Sequence, residues 1–177
     1  MKRQSSARAV RGVLLAWVLL LTAVATVNAQ TTTVIITRHA EKVDESADPL
    51  LSAAGAERAT ALRGALADAG VQAIYTTQYH RTRDTAAPLA QSLGIEPIIL
   101  GTVAGTPTAE HARRIAESVL TTNAGRVVLV VGHSNTLPAI ISALGGPDIG
   151  AIGDDEYGNL FVLQISERGA HLIRSRY

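Results

Sequence analysis

Residues 33–41, Thr-Val-Ile-Ile-Thr-Arg-His-Ala-Glu, decide the reading of this chain. Thr33 to Thr37 are β-branched without exception and carry no charge, which is the form of a strand covered on both faces. Arg38, His39 and Glu41 follow at once, so chemistry-bearing side chains sit where the strand ends. Val127–Val131, the most hydrophobic run after residue 30, repeats the pattern and runs into Gly132-His133-Ser134-Asn135. Ala73–Thr76 does so more weakly, with Tyr79-His80-Arg81-Thr82-Arg83 just beyond.

Ala-rich stretches of helical periodicity separate these runs. Ser52 is placed to cap a helix reaching about Ala69, closed by Gly70. Arg81 to Leu93 reads as a second helix ended by Gly94, and Thr108 as the cap of a third that runs to Thr122. Leu137–Leu144 is a short fourth, stopped by Gly145-Gly146-Pro147. Glu96–Leu100 reads as a strand, and Leu160–Ile165 with Ala170–Arg174 as an edge hairpin turning at Arg168-Gly169. Strands alternating with helices predict an α/β three-layer α/β/α sandwich around a mostly parallel sheet.

In such a sheet, ligands bind beyond the carboxyl ends of the strands. Arg38, His39, Arg81 and His133 all fall at that edge, and none at the other. Two guanidinium forks suit phosphate oxygens, and a helix starting just after His133 would add backbone N–H groups. A histidine among them can attack phosphorus, and the remaining groups can hold the equatorial oxygens of the transition state. Singly, each of these residues is more often a satisfied polar group; the four together make the case. No spacing suited to metal ligands occurs, and two arginines would repel a cation there.

The whole chain has 177 residues, 47% hydrophobic and 18% charged, without cysteine and with a formal net charge of +1. That composition excludes disorder, collagen and a disulfide-stapled miniprotein. The near-neutral charge hides an asymmetry. Lys2, Arg3, Arg8 and Arg11 precede an unbroken apolar run at 12–27, and Val27-Asn28-Ala29 is small at the two positions a signal peptidase reads. Residues 1–29 are therefore expected to be an export signal cut after Ala29, which sends residues 30–177 to the periplasm or outside the cell. The remainder is mildly acidic, which gives nucleic-acid binding no support. No membrane association is expected beyond the signal.

The motifs TRHAEK at 37–42, YTTQYHRTRDTAAPLA at 75–90 and VVGHSNT at 130–136, with PLLSAAGAERA at 49–59, resemble the histidine phosphatase superfamily, also called phosphoglycerate mutase-like. The resemblance implies six strands, the first four and the last parallel and the fifth reversed. It implies His39 as the phosphorylated nucleophile, Arg38, Arg81 and His133 as the phosphate pocket, and no metal or organic cofactor. One branch of the family places an Asp directly after the second histidine, where this chain has Ser134. Another uses a Glu after the third strand, which singles out Glu110 as proton donor. Asp154, Asp155 and Glu156 are its rivals if a reversed fifth strand brings their loop to the catalytic edge. Glu41 is expected to orient a pocket arginine, and Arg83 to pair with a surface acid. The expected function is an exported phosphomonoester phosphatase, acting on a small phosphorylated substrate or a phosphoprotein. A non-catalytic phosphoester-binding module and a mutase-type phosphotransferase are the alternatives. Tyr79 and Tyr157 are the aromatics placed to reach the pocket.

Overall fold

The computed structural model describes residues 30–177, so the expected export segment 1–29 lies outside the described residues. Six strands form one sheet: β1 (Thr32–Arg38), β2 (Val71–Thr76), β3 (Ile98–Ile99), β4 (Val127–Gly132), β5 (Asn159–Ser166) and β6 (Gly169–Arg176). Four helices connect them: α1 (Ala53–Leu66), α2 (His80–Leu93), α3 (Thr108–Thr122) and α4 (Leu137–Ala143). The strand order is β3-β2-β4-β1-β5-β6. β1 to β4 run parallel, β5 is reversed against β1, and β6 is reversed against β5. The expected direction of every strand is the one observed.

The β-branched strands are buried on both faces because each face has its own helical layer. α3 and α4 cover one side through Ile115, Val119 and Ile140, against Val34, Ile36 and Val130. α1 and α2 cover the other through Leu62, Leu66 and Leu89, against Ile35, Ile74 and Leu129. None of the helices of the described residues is long and apolar enough to cross a membrane.

Boundaries differ from the sequence reading where backbone chemistry overrides pattern. The third strand shrinks to two residues because Pro97 has no N–H to donate to a ladder. Pro107, not Thr108, occupies the N-cap position of α3, and no side chain caps that end. The last helix begins at Leu137 with Pro138 in its first turn rather than directly after His133. Residues 133–136 form a turn instead, in which Thr136 donates its amide to the His133 carbonyl.

Ser52 does cap α1, its hydroxyl accepting from the Gly55 amide at 3.1 Å. Gly55 is fixed by contact and not by conformation: a Cβ there would stand 2.2 Å from the Glu41 carbonyl oxygen. Relief requires moving the backbone two residues beyond His39. Gly55→Ala is therefore expected to cost about 1–3 kcal/mol and to lower the activity of the neighbouring site. Gly64, on the same helix with nothing within 4 Å, is the control: Gly64→Ala should gain about 0.5–1 kcal/mol. Urea unfolding of the two variants checks both signs, and equal stability of the pair would refute the contact argument.

Candidate functional site

The register of β1 on β4 pairs Arg38 with Gly132, so the residue following each strand emerges beside its counterpart. The His39 amide donates to the Gly132 carbonyl at 2.9 Å, and the rings of His39 and His133 stand 5.3 Å apart between centroids. β2 lies on the other side of β4 and delivers Thr77, Tyr79 and Arg81 to the same edge. Arg38, His39, Arg81 and His133 thus line one cavity of about 450 Å³.

His39 is 4% exposed. Its Nδ1 lies 2.8 Å from the Ala40 carbonyl. A carbonyl only accepts, so Nδ1 carries the proton and Nε2 keeps a free lone pair. Burial, followed by the positive charges of Arg38, Arg81 and Lys42, lowers its pKa to about 4 despite the opposing Ala40 bond. His133 is pushed down to about 3, first by burial and then by His39 and Arg81. Both rings are neutral near pH 7. Nε2 of His133 meets the Thr77 hydroxyl at 3.1 Å, and Thr77 meets the Thr82 hydroxyl at 2.9 Å, which fixes the ring's orientation.

The two arginines are held by one device used twice. The Arg38 guanidinium lies 4.1 Å over the Tyr157 ring and donates to the carbonyls of Gly153 and Asp154 at 2.9 and 2.8 Å. Its buried Nε has no partner among the described residues. Arg81 lies 4.2 Å over Tyr79, donates to the Ala47 carbonyl at 3.3 Å and stands 3.8 Å from the Asp48 carboxylate. Stacking and backbone carbonyls, joined at Arg81 by the Asp48 carboxylate, orient each cation while leaving donors for an anion. The reversed fifth strand is what returns the 145–158 connection to this edge.

The acids divide sharply. Asp154 lines the cavity, whereas Glu156 turns away to accept from the Gly153 amide at 2.7 Å. Glu110 is exposed in the first turn of α3, and the wall there is made by Thr108 and His111. Residues three apart share a helix face, which Glu110, lying between them, does not; the structure does not bring Glu110 to the cavity. Glu41 departs from expectation too. Its carboxylate grips Arg58 of α1 in a bidentate pair, with Nη2 to Oε1 at 2.6 Å and Nε to Oε1 at 2.8 Å, and Arg58 is not a cavity residue. That bond holds the Glu41 carboxyl below its ordinary range. Arg83 meets no acid but the Nδ1 of His80, at 3.2 Å.

Three supports escaped the sequence reading. Thr85 accepts the Ala40 amide at 2.8 Å and donates to the Arg81 carbonyl at 2.7 Å, tying the His39 segment to α2. Thr82 and Thr85 share the buried face with Ala86 and Leu89; polar residues at core positions of a helix were the available signal. Lys42 lines the cavity, its ammonium paired with the largely solvent-exposed Glu45. His111, 3% exposed, lines it as well, with neither ring nitrogen hydrogen-bonded. An unmet buried polar atom costs about 1–3 kcal/mol. Among the described residues no group of three or more His, Asp or Glu side chains is gathered for a metal.

Residues 34–103 match the family described as the histidine phosphatase superfamily, branch 1. That span holds Arg38, His39 and Arg81 but stops short of His133. Among solved structures, the chain is similar to the mycobacterial glucosyl-3-phosphoglycerate phosphatase at 16% identity, over 83% of this chain and 98% of that one, with a TM-score of 0.65. It is also similar to a phosphoserine phosphatase from Entamoeba histolytica solved with phosphoserine, at 14% identity over 80% and 94% of the two chains, with a TM-score of 0.62. No curated protein sequence matches the chain.

Proposed function

We propose that this chain, whose residues 34–103 match the histidine phosphatase superfamily, is an exported phosphomonoester phosphatase working through a phosphohistidine on His39. One observation carries this reading: a neutral imidazole with Nε2 free shares one cavity with two guanidinium groups already fixed by aromatic rings and carbonyls. In the proposed reaction the Nε2 lone pair attacks phosphorus and the ester P–O bond breaks. The leaving oxygen takes a proton from the Asp154 carboxylic acid. Water then gives that proton back to Asp154 and cleaves the P–N bond, releasing orthophosphate and restoring His39. Arg38, Arg81 and His133 hold the equatorial oxygens throughout. As the dianion enters, its charge favours the protonated form of His133, which gives the ring a second N–H donor. We assign the acid role to Asp154 rather than Glu110 because Asp154 lines the cavity and Glu110 does not. Export rests on the charge and apolar pattern of residues 1–29.

A panel of aryl and alkyl phosphates, with chelator present, tests this. Asp154→Asn should lower turnover of an alkyl phosphate by about 10²-fold or more, and less for p-nitrophenyl phosphate, whose leaving group needs no proton. Glu110→Gln should change either by less than about twofold. The opposite ranking would move the acid to Glu110. Tight phosphate binding without turnover or trapped phosphohistidine would make the protein a binding module instead.

A further inference from the structure

His111 is a third histidine on the cavity wall, and the reaction as proposed makes no use of it. It projects from the first turn of α3 beside Thr108, and its ring is 3% exposed. Neither Nδ1 nor Nε2 has a hydrogen-bond partner among the described residues. The Gly101 backbone is near enough to favour the charged ring but makes no well-formed bond with it. Burial and the neighbouring Arg114 hold the ring below the ordinary histidine range, so near pH 7 it is a neutral group with one donor and one acceptor.

We propose that His111 is a specificity-determining residue whose ring nitrogens pair with hydroxyls of the leaving group, so that the substrates are phosphomonoesters of hydroxyl-bearing alcohols. A hydroxyl both donates and accepts, which matches a neutral imidazole and matches neither a carboxylate nor an ammonium. The surrounding wall has the same character: Thr102, Thr106, Thr108, Ser134 and Asn135 all line the cavity. One face of Tyr79 and one face of Tyr157 are already taken by an arginine, which leaves less ring for an aromatic leaving group to stack on. A site built to pair a hydroxyl rejects the analogue that lacks it, because its own buried group is then left unpaired.

The inference rests on the phosphatase reading, and one experiment separates the two. The full chain is assayed on glycerol 1-phosphate and on n-propyl phosphate, which differ only in two hydroxyls. The wild type is expected to favour the glycerol ester in kcat/KM by about tenfold or more. His111→Phe should bring that ratio close to one, chiefly through loss on the glycerol ester. The same variant should unfold at a higher urea concentration than wild type, because an unpaired polar ring has been replaced by an apolar one. A merely structural histidine gives the opposite pattern, stability lost and the ratio kept, and overturns the proposal. His111→Gln, which restores a donor and an acceptor, should recover part of the preference. Equal rates of the wild type on both esters sink the specificity role alone, whereas hydrolysis of neither sinks the phosphatase reading and this inference with it.

Discussion

His39→Ala is expected to lower phosphoester turnover by at least about a thousandfold and to abolish acid-labile phosphate on the protein. The expectation follows from what stands around the ring. Its Nδ1 proton is committed to the Ala40 carbonyl at 2.8 Å, and that segment is pinned by Thr85 on one side and by the Glu41–Arg58 pair on the other. The Nε2 of His39 is left free toward the cavity, whereas the Nε2 of His133 is engaged with Thr77. Quenched-flow trapping with a radiolabelled phosphoester reads the intermediate directly. A chelator should leave the wild-type rate unchanged. Turnover that survives His39→Ala, or a label that persists on that variant, would remove the phosphohistidine mechanism. Arg38→Ala should also be severe, but less diagnostic, since it frees the 153–154 carbonyls together with the pocket.

The second large effect is on stability. The ordinary histidine pKa of 6.5 falls to about 4 at His39 and about 3 at His133 in the folded protein. Between those values the unfolded chain binds more protons than the native one, so the free energy of unfolding decreases as pH falls. Each histidine adds up to about 1.4 kcal/mol per pH unit, and the two together close to 3 kcal/mol per unit. The loss begins near pH 6.5 and is established by pH 5, before a carboxylate such as Glu41, with an ordinary pKa of 4.5 lowered further by Arg58, takes part. Urea midpoints at pH 7, 6 and 5 measure the slope. His39→Asn should flatten it by about half. Inorganic phosphate should restore more stability at pH 5 than at pH 7, because the bound anion favours protonated rings. A slope near zero over this interval would show that the rings are not held neutral.

The site thus carries a stability cost that its sequence only partly announced. The edge that holds the cavity was legible because its elements follow from local rules: β-branched runs make the strands, a parallel sheet points their carboxyl ends one way, and Arg38, His39, Arg81 and His133 come just after them. What escaped was partner choice. The groups that hold Arg38 are carbonyls of Gly153 and Asp154, and a backbone acceptor leaves no mark on residue identity. Glu41 could have reached several arginines; tertiary packing of α1 on its neighbour hands it Arg58. Glu110 was expected from the resemblance alone, and the face that α3 turns to the cavity, with Thr108 and His111 on it, is set by tertiary packing that the resemblance does not carry. Thr82 and Thr85 could have been found, since a hydroxyl on an otherwise apolar helix face needs a partner that the helix itself does not supply.

The stacking that holds Arg38 on Tyr157 and Arg81 on Tyr79 has a consequence for the catalytic cycle as a whole. Cations fixed in place before anything arrives recognise the phosphoryl group alone, and the orthophosphate left at the end presents the same oxygens as the ester at the beginning. The product is therefore held by the same cations as the substrate, and its escape can compete with the chemistry for control of the rate. Free orthophosphate in solution is accordingly expected to inhibit by occupying the same cavity.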